Sequence, residues 1–240
     1  MSTLVFGPVP SRRLGRSLGI NSIPPKLSTY SCVYCQVGRT IDFRADRGVF
    51  YEPQDVLAAV KERFDEESSA KEKVDYLTFV PDGEPTLDLN QGREIELLRP
   101  LGIPIAVITN SSLIWQETVR DELKAADWVS LKMDAVDEPV WRYANQPHNS
   151  LNLQAILDGA FAFSRSYEGK LVAETMLVAG VNDREESLHH VALYLRALQP
   201  SVAYLAIPTR PPAERRVRAP EESIVNSAYQ IVKPAVRALE

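Results

Sequence analysis

The sequence predicts an α/β protein built on parallel strands. Short β-branched runs alternate with longer amphipathic stretches. Most of the runs are apolar without strict alternation, as expected of strands covered on both faces. The order is strand then helix, repeated six times, which implies parallel strands joined by right-handed crossovers. Six such units fit either an open doubly wound sheet or an incomplete barrel. Both architectures place a ligand at the carboxyl ends of the strands.

Strands are expected at 18–23, 76–80, 105–109, 128–133, 171–178 and 202–207. Helices are expected between and after them, at 53–64, 92–101, 116–126, 151–167, 185–198 and 221–239. In the first helix Val56, Leu57, Val60 and Phe64 recur at helical spacing. The stretch 24–53 separates the first strand from its helix. Connections longer than about 12–15 residues are usually functional or disordered. This one holds both cysteines, which makes it a functional loop.

Composition narrows the classes. The chain has 240 residues, 45% hydrophobic and 25% charged, ordinary for a globular protein able to bury a core without disulfides. The formal net charge of −5 argues against a general nucleic-acid coat and leaves room for a local basic patch. The start has no basic region followed by an apolar run, and no stretch approaches 18 apolar residues. A cytoplasmic location without a membrane is expected. No repeat, low-complexity tract or linker divides the chain, so 1–240 is expected to be a single domain.

The two cysteines are Cys32 and Cys35. Taken alone, Cys-x2-Cys reads as a thiol redox pair, half a zinc site or part of an iron–sulfur site. The second strand ends in Pro81-Asp82-Gly83-Glu84-Pro85, where glycine permits close backbone approach and Glu84 sits at the ligand end. The third ends in Thr109-Asn110-Ser111-Ser112, small polar groups suited to a ligand or to capping the next helix. On the fourth, Ser130, Lys132 and Asp134 share a face. Lys132 needs a partner there, since an unpaired buried charge is costly. A pair with Asp134 and a ligand carboxylate are both open. On the fifth, Glu174 and Met176 share a face, and Glu174 suits Lys132 or Lys170 as partner. Arg12, Arg13, Arg16, Arg210, Arg215, Arg216 and Arg218 form either a basic rim for an anionic substrate or a solvated charge run. His148, His189 and His190 lack metal-ligand spacing.

The stretch from Ser28 through Cys32, Tyr34 and Cys35 resembles the cluster loop of radical S-adenosylmethionine (SAM) enzymes, Cys-x3-Cys-x-aromatic-Cys. Ser28 stands where that loop has its first cysteine. Gly7-Pro8-Val9-Pro10-Ser11-Arg12-Arg13-Leu14-Gly15 and the run 206–214 resemble a subgroup, iron–sulfur oxidoreductases related to wybutosine-tRNA synthase. The resemblance implies a partial (β/α)6 TIM-like barrel carrying a [4Fe–4S] cluster and SAM, with the cluster loop at 24–53. It implies reductive cleavage of SAM to a 5′-deoxyadenosyl radical, and an electron donor such as flavodoxin or ferredoxin. By resemblance, Cys32, Cys35 and the position of Ser28 face the cluster. Tyr34, Gly83, Glu84, Asn110, Ser111, Lys132 and Met176 face SAM.

Ser28 sets this chain apart from that pattern. An alcohol is far harder to deprotonate than a thiol and is a harder ligand than iron–sulfur chemistry prefers. Impaired activity is therefore expected. Three explanations stand open: a deliberate replacement, a naturally degenerate relative, or an unusual oxygen ligand. Two other classes also stand, a SAM-binding protein without radical chemistry and a dithiol or zinc protein. The wybutosine relatives act on tRNA. The acidic balance and the absence of further cysteines weigh against carrying that substrate over, and an anionic small molecule fits the arginines equally well.

Overall fold

The computed structural model describes residues 4–70 and 72–240. The chain begins with an antiparallel pair, β1 (Val5–Ser11) and β2 (Gly15–Ile20). Two short strands follow in the long loop, β3 (Leu27–Ser28) and β4 (Asp42–Phe43), paired in parallel. Then come α1 (Pro53–Ser69), β5 (Tyr76–Phe79), α2 (Gln91–Leu98), β6 (Ile105–Thr109), α3 (Glu117–Leu123) and β7 (Trp128–Lys132). The remainder is α4 (Glu138–Asn145), α5 (Leu153–Ser166), β8 (Lys170–Met176), α6 (Glu185–Leu198), β9 (Val202–Ala206) and α7 (Glu222–Val232).

Seven strands form one sheet in the order β1-β2-β5-β6-β7-β8-β9, parallel from β2 onward. The order never reverses, so the sheet has no switch point of the doubly wound kind. Consecutive helices pack side by side: α1 on α2, α2 on α3, α3 on α5, α5 on α6 and α6 on α7. The helices therefore line one face and the other face curls inward. Arg13, beside β1 at one edge, lies 3.8 Å over the ring of Tyr204 on β9 at the other. That contact across the mouth describes a partial barrel. Of the two architectures open to six βα units, the barrel is the one adopted.

All six expected parallel strands form, with ends shifted by a few residues. The expected helix at 92–101 ends at Leu98 and continues as a 3-10 turn at Arg99–Leu101 around Pro100. The helix expected at 221–239 stops at Val232, where Pro234 enters a 3-10 turn at Lys233–Ala235. Strands β1, β3 and β4 and helix α4 lie outside the pattern. Strand β1 carries Pro8 and Pro10 and is tolerated because it is an edge strand bonded on one side only. Helix α4 is short, but Asp137, Glu138 and Pro139 supply an acidic start with proline in the first turn.

The core is continuous under the sheet. Leu18, Ile20, Leu77, Phe79, Ile105, Val107, Val129 and Leu131 are buried with Val56, Val60, Ile95, Leu98 and Phe163 from the helices. Among the described residues no helix is long and apolar enough to cross a membrane.

Candidate cofactor site at the barrel mouth

The long loop folds over the carboxyl ends of the strands because its backbone is tied down on both flanks. On one flank the amide of Glu84 donates to the Leu27 carbonyl at 3.0 Å, and that of Lys26 to Asp82 at 2.6 Å. Gly83 is required there: a Cβ at this position would lie 1.9 Å from the Leu27 oxygen. On the other flank α4 and the turn after it take over. The amide of Val33 donates to Ala144 at 2.9 Å, Ser31 to Asn145 at 3.1 Å, and His148 to Thr29 at 2.9 Å. The Cys32 carbonyl then accepts from the Cys35 amide at 3.1 Å, a tight turn that brings the two thiols to one side.

Beneath the loop lies a cavity of about 310 Å3. Ser28, Cys32 and Cys35 line it together with Tyr34, Gly83, Asn110 and Lys132. Seven positions chosen from separate stretches of sequence thus meet on one wall. Both cysteines are half-buried and free of disulfide. Burial, then the charge of Asp134, pushes the Cys32 thiol up to about 12.

The remaining predicted residues sit elsewhere. Glu84 is fully buried behind the wall. One carboxylate oxygen accepts from the Thr86 amide at 3.0 Å, the Thr86 hydroxyl at 2.5 Å and the Thr109 hydroxyl at 2.6 Å. The other accepts from the Asn110 amide at 2.6 Å. Burial pushes its pKa up, against those hydrogen bonds, which pull it down. In this arrangement Glu84 joins the end of β5 to the end of β6 and does not face the cavity. Ser111 is also buried, at φ +70°, with its hydroxyl unpartnered. Met176 lines a second cavity alongside the first.

Asn110 carries the same network into the loop. Its side-chain amide donates to the Thr29 hydroxyl at 2.8 Å, and Thr29 shares a 2.6 Å bond with Ser112. The capping alternative for 109–112 is excluded by distance along the chain, since α3 starts after Gln116.

Lys132 pairs with Glu174 at 2.5 Å, its direct neighbour in the β7–β8 register, and not with Asp134; Glu174 in turn takes Lys132 and not Lys170. Arg13 holds the other Glu174 oxygen. Burial opposes the carboxylate, but Lys132 and Arg13 outweigh it and hold Glu174 at about 2. Burial likewise opposes the Lys132 charge, and Glu174 and Asp134 keep its pKa above the ordinary lysine range.

Asp134 and Asn145 are the residues the sequence reading did not assign to the site. Asp134 accepts from the Tyr34 hydroxyl, from the Asn145 amide at 2.8 Å and from the Met176 amide at 2.8 Å. Asn145 also reaches the Tyr34 hydroxyl at 3.1 Å and the Cys32 sulfur at 3.4 Å. The acidic, proline-bearing start of α4 is the sequence signal that could have found this flank, because Asn145 closes that helix.

Comparison with known proteins gives the class. The model of the radical SAM superfamily matches residues 28–192. The UPF0026 protein MJ1312 of Methanocaldococcus jannaschii is 51% identical over 229 residues, covering 95% of this chain and 71% of that protein. A radical SAM methyltransferase from Sphaerobacter thermophilus superposes with a TM-score of 0.67 at 16% identity, over 92% of this chain and 66% of that one. TYW1 with a lysine–pyruvate adduct bound gives 0.68 at 14% identity, over 91% and 73%. The chain spans about two thirds of the methyltransferase. It belongs to the radical SAM superfamily, whose cofactors are a [4Fe–4S] cluster and SAM.

The walls fit these cofactors unequally. The cavity offers SAM a glycine backbone, an amide side chain, an aromatic ring and a lysine. The cluster side offers two thiols and the Ser28 hydroxyl, one thiolate fewer than the loop pattern requires. Among the described residues no third cysteine, histidine or carboxylate completes a metal-binding group. This donor set does not fit a three-thiolate cluster.

Proposed function

We propose that this chain is a radical SAM-type enzyme that binds SAM in the cavity under the long loop, with Ser28 leaving its cluster site one thiolate short. Cluster assembly and reductive SAM cleavage are then weak or lost. The observation that carries this reading is that Ser28, Cys32 and Cys35 line one cavity with Gly83, Asn110 and Lys132. Tyr34, clamped through its hydroxyl, supplies the flat surface for an adenine. Lys132 stays charged to meet a carboxylate. Gly83 lets the Leu27 backbone close over the ligand. Glu84 and Asp134 act as positioning residues behind that wall. The reading of 1–240 as one domain, cytoplasmic and served by a flavodoxin- or ferredoxin-type donor, goes with it.

Anaerobic reconstitution of the chain beside Ser28→Cys tests the proposal. The unaltered chain is expected to hold little iron and release little 5′-deoxyadenosine, while Ser28→Cys gains both. A full iron complement and normal release from the unaltered chain would defeat it.

A further inference from the structure

A second cavity, of about 600 Å3, adjoins the first and shares Tyr34, Cys35, Lys132 and Glu174 with it. Arg12 and Arg13 reach it from the turn between β1 and β2, and Arg210 from the segment after β9. Arg13 and Lys132 share the single carboxylate of Glu174. Arg210 donates to the neutral Gln36 side chain at 2.9 Å, which leaves its charge unmatched. Arg12 has no ion pair among the described residues. Against these four cations the wall sets the acidic residues Glu174 and Glu240.

None of the other arginines of the expected rim lines this cavity. Arg16 pairs with Glu67 and Glu72. Arg216 pairs with Glu214 and lies over the Tyr143 ring. Arg218 donates to the carbonyls of Arg215 and Val217. The seven-arginine rim thus reduces to three that line the cavity, two of them with unmatched charge. A nucleic acid gains its affinity from many phosphates neutralised at once. Two unmatched guanidiniums beside a pocket suit a single anionic group, which they can grip in planar, bidentate fashion. The volume is that of a small-molecule site.

We propose that the substrate is a small organic anion, a carboxylate or a phosphate ester, gripped by Arg12 and Arg210 in this second cavity with its remainder directed toward Tyr34 and Met176. This rests on the reading of the first cavity as the SAM site.

The test is calorimetric titration of the full chain with inorganic pyrophosphate and, separately, succinate at fixed ionic strength, with SAM binding followed in the same samples by equilibrium dialysis. At least one probe is expected to bind, and the better one separates phosphate from carboxylate chemistry. The double variant Arg12→Gln/Arg210→Gln should weaken that binding at least tenfold while SAM affinity stays within twofold. Arg216→Gln, which lies off the cavity, should bind like the unaltered chain. The proposal is overturned if neither probe binds, or if the double variant binds as the unaltered chain does. It is also overturned if single-stranded RNA displaces the probe and depends on Arg215, Arg216 and Arg218. Loss of SAM binding alone, with anion binding still dependent on Arg12 and Arg210, defeats the reading of the first cavity and leaves the anion pocket supported.

Discussion

The two halves of the cofactor cavity differ in completeness. On the strand side the polar groups behind the wall are bonded to one another, the Ser111 hydroxyl excepted: Glu84 holds Thr86, Thr109 and Asn110, and Asn110 passes the chain of bonds to Thr29 and Ser112. On the loop side the backbone is equally well anchored, yet one of three donor atoms is an oxygen. The three positions of the loop pattern line one cavity, and one of them is serine. Position and chemistry are thus separable here. Buried networks fix where Ser28 sits, and its own acidity decides whether it can bind iron.

The sharpest way to break the comparison is Ser28→Cys. If position is preserved and only chemistry is missing, iron content and deoxyadenosine release should rise at least about tenfold, read by iron assay and chromatography. Next comes the strand side. Glu84→Ala strips the acceptor from the amides of Thr86 and Asn110 and should cost about 3 kcal/mol, measured by urea unfolding. SAM binding should weaken with it, because the ends of β5 and β6 lose their link.

Smaller effects probe the salt-bridged corner. Glu174→Gln leaves Lys132 and Arg13 without their shared carboxylate and should cost about 2 kcal/mol at pH 7. The folded-state pKa of Glu174, about 2, lies below its ordinary 4.5. Its contribution is therefore complete above 4.5 and disappears as pH falls through 2. The gap between the unaltered chain and Glu174→Gln should close over that window. Tyr34→Phe removes one donor to Asp134 while the Asn145 and Met176 amides remain, and should cost about 1 kcal/mol. Smallest is Arg216→Gln, a surface pair with Glu214, where no measurable change in unfolding midpoint is expected.

Much of the site was legible in the sequence because it lies at strand ends. Apolar runs mark the strands, and the residues just past them fall at the barrel mouth whatever the helices do. That is why Gly83, Asn110 and Lys132 reach the same cavity as Cys32 and Cys35. Glu84 and Ser111 escape the rule because each is turned behind the wall, a side-chain direction that no spacing reveals. Asn145 escapes it because it ends a helix, and nothing in its immediate neighbours links it to Cys32.

The sequence alone determined the βα order, the six parallel strands and the family pattern with serine at position 28, since these depend on local periodicity and residue identity. Tertiary structure decided the rest. It chose the curled sheet over the doubly wound one, gave Lys132 to Glu174, and drew Arg12, Arg13 and Arg210 into a pocket while sending Arg16 and Arg216 elsewhere. Ion pairs and cavities depend on which distant segments meet, and that is fixed only when the strands curl and the long loop closes over their ends.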